Sequence, residues 1–254
     1  MLVDIEDGLA VWEWAEGCEL PGGTFALERL GIGHRCETWL VWSTELWCPA
    51  VLKTARPHQI RHPRAVKSLR RETAALTGNV HPSVPRLLAD GTDDPIPHLL
   101  LEYVDGPTLT DELEENGTLS LEETALLGAQ LLPPLMALHR RGLAHLDVKP
   151  DNVVLRDGRP ILIDFGSARR IGSEQPAGHP VGTEGYASPE QEACEPVTAA
   201  MDLHSLGRTL AEAHGHLPES LYCLIAPHPS TAQAVTALAE AAGELRPWPG
   251  WLRA

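Results

Sequence analysis

His145-Leu146-Asp147-Val148-Lys149-Pro150-Asp151-Asn152 is followed, twelve residues after Asn152, by Asp164-Phe165-Gly166. The stretch holds a carboxylate able to orient a hydroxyl, a lysine two residues on, and an amide-bearing ligand. Between Asn152 and Asp164 lie two apolar runs, Val153-Val154-Leu155 and Ile161-Leu162-Ile163, flanking Asp157-Gly158. Asp-Gly between apolar runs signals a hairpin. Such a hairpin carries Asn152 at one end and Asp164 at the other, and so draws both toward one metal site. Hard oxygen ligands of this kind suit Mg2+. The arrangement fits phosphoryl transfer, where catalysis is positioning plus charge stabilisation and little covalent chemistry is asked of the protein.

Working toward the N-terminus, Thr108–Glu115 reads as a short helix. Ser120 with Glu123 is a capping box for a long one, with Leu127, Leu131, Leu135 and Leu138 on one face. Pro133-Pro134 inside it predicts a kink or break, because proline removes a donor and clashes one turn back. Val84–Ala89 and His98–Tyr103 read as strands. So do Phe25–Leu30, Thr38–Ser43 and Pro49–Lys53. Between the first two of these three lies Gly31-Ile32-Gly33-His34-Arg35-Cys36, a glycine-rich hairpin whose backbone N–H groups can approach phosphate oxygens. Val66, Leu69, Thr73 and Leu76 recur at helical spacing, and Glu72 lies within that helix, nineteen residues after Lys53. Arg56, Arg61, Arg64, Lys67, Arg70 and Arg71 make the same region basic. The run reads as a solvated helix face, with docking of an acidic partner as the other reading. Trp12 and Trp14 precede a Pro21-Gly22-Gly23 turn and are expected to pack on the strands that follow.

Toward the C-terminus, a polar, glycine-containing stretch runs to Gly182-Thr183-Glu184-Gly185-Tyr186-Ala187-Ser188-Pro189-Glu190. Asp202-Leu203-His204-Ser205-Leu206-Gly207 then starts a helix with Leu203, Leu206 and Leu210 facing inward. A last helix is expected over Thr231–Ala242, with Val235, Leu238 and Ala242 on its inner face.

These motifs, in this order, resemble the protein-kinase family, and the resemblance covers residues 24 to 240. It departs from the family pattern at the third loop glycine, here Cys36, and at the following valine, here Thr38. Ser188 stands for the usual alanine before Pro-Glu, and the arginine expected near Pro229 to pair with Glu190 is missing, with Arg246 as a candidate substitute. The implied fold is α+β: a two-lobed protein-kinase-like fold with a β-rich N-lobe (24–104) and a mainly helical C-lobe (105–254). The C-lobe has a shortened C-terminal region, and an N-terminal extension (1–23) precedes the N-lobe. The resemblance implies an ATP site that uses Gly31, Ile32, Gly33, Lys53, Glu72, Leu101, Glu102, Val104, Asn152 and Asp164. Lys53, held by Glu72, would meet the α- and β-phosphates. Backbone groups near Glu102 and Val104 would bind adenine, with Leu101 at the back of the pocket. Asp147 would orient the substrate hydroxyl and accept its proton, Lys149 would stabilise the transferred phosphoryl group, and Asn152 and Asp164 would hold Mg2+. Asp202 would brace the catalytic loop from below. The Gly-Thr-x-x-Tyr form of residues 182–186 is that of Ser/Thr kinases.

Composition narrows the classes further. The chain has 254 residues and a formal net charge of -15, which argues against a nucleic-acid partner. Its longest apolar stretch, Leu126–Leu138, is interrupted by Gln130 and the two prolines, so no membrane span is read. The first residues are acidic, unlike a secretory signal. Five cysteines without a CxxC fit free thiols in a reducing cytoplasm. The expectation is a cytoplasmic, bacterial-type Ser/Thr protein kinase using ATP and Mg2+ on a protein hydroxyl, open to a regulatory protein partner. A small-molecule phosphotransferase of the same fold and a nucleotide-binding pseudokinase are the alternatives. Gly-Thr-x-x-Tyr-x-Ser-Pro-Glu argues against the first, and the intact Lys53, Asp147 and Asp164 argue against the second.

Overall fold

In a computed structural model of the chain, residues 3–6, 9–79 and 81–243 are described. They divide into two compact units. One takes the described residues up to Gly78 together with Pro85–Tyr103. The other takes those in Asn79–Val84 and from Val104 on.

The first unit is built on strands β1 (Val3–Glu6), β2 (Leu9–Trp12), β3 (Glu19–Leu20), β4 (Thr24–Ile32), β5 (Cys36–Ser43) and β6 (Cys48–Ala55). Helix α1 (Pro63–Leu76) and strands β7 (Leu87–Gly91) and β8 (His98–Glu102) complete it. β1 and β2 form a hairpin, and the other six strands make an antiparallel sheet in the order β3-β4-β5-β6-β8-β7. β5 shows why. Glu37, Trp39, Val41 and Ser43 alternate inward while their neighbours stay partly exposed, the period-two pattern of a sheet with one buried face. Its core gathers Trp12, Leu20, Ala26, Trp39, Val41, Ala50, Leu52 and Leu100. The expected packing of the N-terminal tryptophans is found here: Trp12 is buried and stacks on Trp14 with ring centroids 4.9 Å apart.

Helix α1 starts with Pro63 in its first turn, and the ring of His62 accepts the Arg64 N–H as its cap. Its inward face is Ala65, Leu69, Glu72, Ala75 and Leu76: of the face expected from apolar spacing, Leu69 and Leu76 are buried while Val66 and Thr73 are only partly so. The difference is the buried carboxylate of Glu72, which a hydrophobic pattern cannot count. The basic run is also not one face. Arg56 is buried, Arg70 pairs with Asp93, and Arg61, Arg64 and Lys67 are exposed. The strand expected at Val84 begins three residues later, because Ser83 belongs to the second unit, where its carbonyl accepts the Leu162 N–H at 3.0 Å.

The second unit holds α2 (Leu109–Asn116), α3 (Leu121–Arg140), β9 (Leu143–Ala144), β10 (Val153–Arg156), β11 (Arg159–Leu162) and β12 (Arg169–Arg170). It continues with α4 (Pro189–Glu192), α5 (Ala199–His214) and α6 (Thr231–Ala242). Capping boxes start α2 (Thr108 with Asp111) and α3 (Ser120 with Glu123). Each satisfies two otherwise orphaned backbone donors. α3 is the central element and packs on α5 and α6. A Cβ at Gly128 would come within 2.6 Å of Leu238 and 2.8 Å of Leu210, so glycine is what lets the three helices approach. Of the kink or break expected at Pro133 and Pro134, the break is absent: α3 runs on through both prolines. Leu131, Leu132, Leu135 and Leu138 are all buried around them, and that packing outweighs the missing ladder bonds. α6 is rotated from the expected face: Ala234, Leu238 and Ala242 are buried while Val235 is 46% exposed. Among the described residues no helix is long and apolar enough to cross a membrane.

Candidate active site

In the first unit, Lys53 stands on β6 opposite Thr38 and Leu99. Its Nζ lies 2.7 Å from Glu72 Oε2, with the glutamate buried and the lysine nearly so. α1 thus supplies the carboxylate that fixes the ammonium. The glycine hairpin closes with the Gly33 N–H donating to Cys36 O at 2.8 Å. Neither Gly31 nor Gly33 has a positive φ, so local backbone geometry does not demand glycine there. A Cβ at Gly31 would meet nothing within 4 Å, whereas one at Gly33 would sit 3.3 Å from Cys36 O. Space beside Gly31 is what close approach of a ligand to the backbone requires. At the end of the sheet, Leu101 is buried and Glu102 is held by Arg86, Nε to Oε2 3.1 Å. Val104 begins the second unit and packs with Val154, Ile161 and Ile163.

In the second unit, Asp202 organises the loop quoted at the outset. This fully buried carboxylate accepts the His145 N–H at 2.8 Å, the Leu146 N–H at 2.7 Å and the His139 ring at 2.7 Å. Burial by itself would raise its pKa, but the bond to His139, the neighbouring histidine charges and the Leu146 N–H hold it below the usual carboxylate range. Leu146 itself takes φ +67°, a left-handed conformation that costs a non-glycine residue about 1–2 kcal/mol. It is pinned from both sides: its N–H goes to Asp202, and its carbonyl accepts Gln191 Nε2 at 3.1 Å. Gln191 also donates to Val181 O at 2.8 Å, and Thr209 Oγ1 donates to Val148 O at 3.2 Å. Gly182 passes so close that a Cβ there would lie 2.5 Å from Leu146 O.

This frame presents Asp147, half-buried. Oδ1 accepts the Thr183 hydroxyl at 2.7 Å. Asn152 Nδ2 donates to the Asp147 carbonyl at 2.8 Å and approaches its Oδ2 at 3.4 Å. Lys149 lies 3.4 Å from Asp151. The expected hairpin is present, with Asp157 and Gly158 at φ +49° and +71° in its turn, and the Ile163 N–H donates to Asn152 O at 2.9 Å. Asn152 and Asp164 are therefore neighbours across the end of the ladder. Asp164, at φ +58°, turns Oδ1 to the Gly166 N–H at 3.0 Å. With its amide nitrogen committed to Asp147, Asn152 has its amide oxygen to offer to a cation. Among the described residues no group of three or more His, Cys, Asp or Glu side chains could hold a metal. One amide and one carboxylate oxygen suit Mg2+, which takes one or two protein oxygens and completes its shell with phosphates and water.

Glu190 has His228 Nδ1 at 4.0 Å in place of the missing arginine. Arg246 lies outside the described residues. Sequence reading did not assign Gln191, His139 or Thr209 to the site. Gln191 and Thr209 act through long-range hydrogen bonds to the loop and His139 through one to Asp202, and none carries a local signal beyond Gln191's place in the Ser188 capping box.

A buried lysine–glutamate pair, a carboxylate in a braced loop and two oxygen ligands on a hairpin define a phosphotransferase domain of the kinase type. The chain belongs to the protein kinase family: the family's protein kinase domain matches residues 26–220. It is 35% identical over 201 residues to a probable serine/threonine-protein kinase of Streptomyces coelicolor, covering 75% of this chain and 30% of that protein. Serine/threonine-protein kinase C of Synechocystis is 35% identical over 201 residues, covering 72% and 37%. Serine/threonine-protein kinase PknB of Mycobacterium tuberculosis is 31% identical over 194 residues, covering 73% and 31%. The chain thus spans about a third of the length of these curated relatives. The kinase domain of Mycobacterium tuberculosis PknI superposes with a TM-score of 0.72 at 24% identity, covering 90–91% of this chain and 99–100% of that one in two crystal structures. The likeness is one of fold.

Proposed function

We propose that the protein is an ATP-dependent Ser/Thr protein kinase that transfers the γ-phosphoryl group to a protein hydroxyl. The observation that carries this reading is the Asp147 carboxylate, supported by Thr183 and Asn152 in a loop braced by Asp202. Asp147 orients the substrate hydroxyl and takes its proton, and Lys149 stabilises the transferred phosphoryl group. Gly31, Ile32, Gly33, Lys53 and Glu72 serve the phosphates, Leu101, Glu102 and Val104 the adenine, and Asn152 and Asp164 the metal. Mg2+, when bound, neutralises phosphate charge. Five free cysteines agree with work in the cytoplasm, and the -15 net charge with a protein rather than a nucleic-acid substrate.

The test is incubation of the protein and of Asp147→Asn with labelled ATP and Mg2+ against a panel of proteins and metabolites. Label on serine or threonine, absent with Asp147→Asn, is the expected result. Label on a metabolite alone would make the protein a small-molecule phosphotransferase. Nucleotide binding without any transfer would make it a pseudokinase.

A further inference from the structure

Arg56 follows β6 and is only 3% exposed. Its Nε donates to Ala10 O in β2 at 3.1 Å, and its Nη1 donates to Gly33 O at 3.2 Å. Its own N–H donates to Arg35 O at 3.0 Å. One buried residue therefore ties the N-terminal strand to two carbonyls of the glycine hairpin. A guanidinium is a rigid planar fork, so two carbonyls bound to it are held at a fixed relative position. A peptide unit is planar and trans, so holding Gly33 O toward Arg56 turns the His34 N–H to the opposite side. Successive N–H groups aimed from a turn are what binds anionic oxygens.

The strand is anchored just as firmly at the root of the same hairpin. Trp12 N–H donates to Glu37 Oε1 at 3.0 Å, and its indole donates to Ala55 O at 2.9 Å. Glu37 is fully buried, next to Cys36, and its second oxygen accepts the Trp39 indole at 3.2 Å. Removing the strand would take an acceptor from a buried cation and a donor from a buried anion. Leaving buried charged groups short of partners is costly.

We infer that strand β2 sets the position of the Gly31–Cys36 hairpin, with Arg56 as the positioning residue that links them. The consequence for nucleotide affinity rests on the reading of that hairpin as the phosphate loop. Displacement of β2 would then loosen the loop without touching Lys53 or the residues around Asp147.

The test uses Arg56→Lys, which keeps the charge but loses the fork, and Trp12→Phe, which keeps the packing but loses the indole donor. Amide hydrogen exchange is followed in the full chain without nucleotide, and ATP affinity is measured separately. Loss of one such bond predicts exchange over residues 31–36 faster by about tenfold in each variant, with exchange in α3 and α5 unchanged. ATP affinity falls alongside. Unchanged exchange in the hairpin, with faster exchange in β2, overturns the inference whatever the enzyme does with ATP. If the unaltered protein binds no ATP, the proposed function fails, and the exchange comparison alone decides the inference. Should Arg56→Lys not fold, Trp12→Phe carries the same two outcomes.

Discussion

Thr183 donates its hydroxyl to Asp147 Oδ1 at 2.7 Å, joining residues 36 apart in the chain. With Asn152 Nδ2 at 3.4 Å from its other oxygen, the carboxylate is held in one orientation. Asp147→Asn is expected to cost several powers of ten in transfer and to leave ATP binding intact. Thr183→Val removes one hydrogen bond to a charged group, about 1.5–3 kcal/mol, and should lower kcat by about ten- to a hundredfold. Steady-state kinetics on a generic protein substrate measures both. A wild-type kcat for Thr183→Val would remove the hydroxyl from the mechanism.

In the Lys53–Glu72 pair the glutamate is buried and the lysine nearly so, so breaking it should be felt in stability as well as activity. Lys53→Met takes the lysine's charge away from a buried carboxylate, at a cost of about 3–5 kcal/mol. Adding Glu72→Leu should recover most of that stability, because an apolar pair of similar volume often does as well as a buried ion pair. It should recover none of the activity. Urea unfolding of the two single variants and the double variant checks this, and additive losses would contradict it.

Glu37 and Asp202 should respond to pH in opposite senses. Burial pushes the Glu37 carboxyl up, against the pull of its bonds from Trp12 and Trp39 and of the Arg29 and Arg56 charges. A folded pKa above the unfolded one stabilises the fold below about pH 4.3 and loses that contribution as pH rises through the folded value. Asp202 is held low, so its contribution is present above about pH 3.9 and is lost as pH falls through its folded value. The stability of the unaltered protein relative to Glu37→Gln should therefore fall on going from about pH 4 to neutrality. Denaturant titrations across that range measure it, and a rise would mean that Glu37's bonds outweigh its burial.

Leu146 occupies the place where regulated kinases carry an arginine for the activation-segment phosphate. It is fully buried with both backbone groups engaged, so it offers nothing to a phosphate. Ser173, one of the few hydroxyls in the segment, donates to Arg170 O at 2.7 Å. Phosphatase treatment and Ser173→Ala should each leave activity within about twofold, a surface change of less than half a kcal/mol. A large loss restored by rephosphorylation would show that Arg169 or Arg170 receives a phosphate there.

What could be read in advance was what repeats locally. The Asp157-Gly158 hairpin, the cap at Ser120, and the helix carrying Glu72 each declare themselves within a few residues. The bonds that make the site rigid do not. Gln191 and Thr209 reach the loop from 45 and 61 residues away, and His139 reaches Asp202 from 63, each through a single polar atom. Arg56 looked like part of a solvated basic run because its two carbonyl partners lie 46 and 23 residues upstream. Pro133 and Pro134 misled in the other direction, since local propensity argued for a break that the packing of four leucines overrides.

Asp202 has a consequence for the order in which this protein can be made. Leu146 stays in its left-handed form because a carboxylate from more than fifty residues downstream receives its N–H and that of His145. During synthesis the chain emerges N-terminus first, at about 5–20 residues per second. Several seconds therefore pass in which Asp147, Lys149 and Asn152 are outside the ribosome while their anchor is not. A nascent chain at that stage carries the sequence of this loop without its shape, and the loop's geometry has to wait for α5.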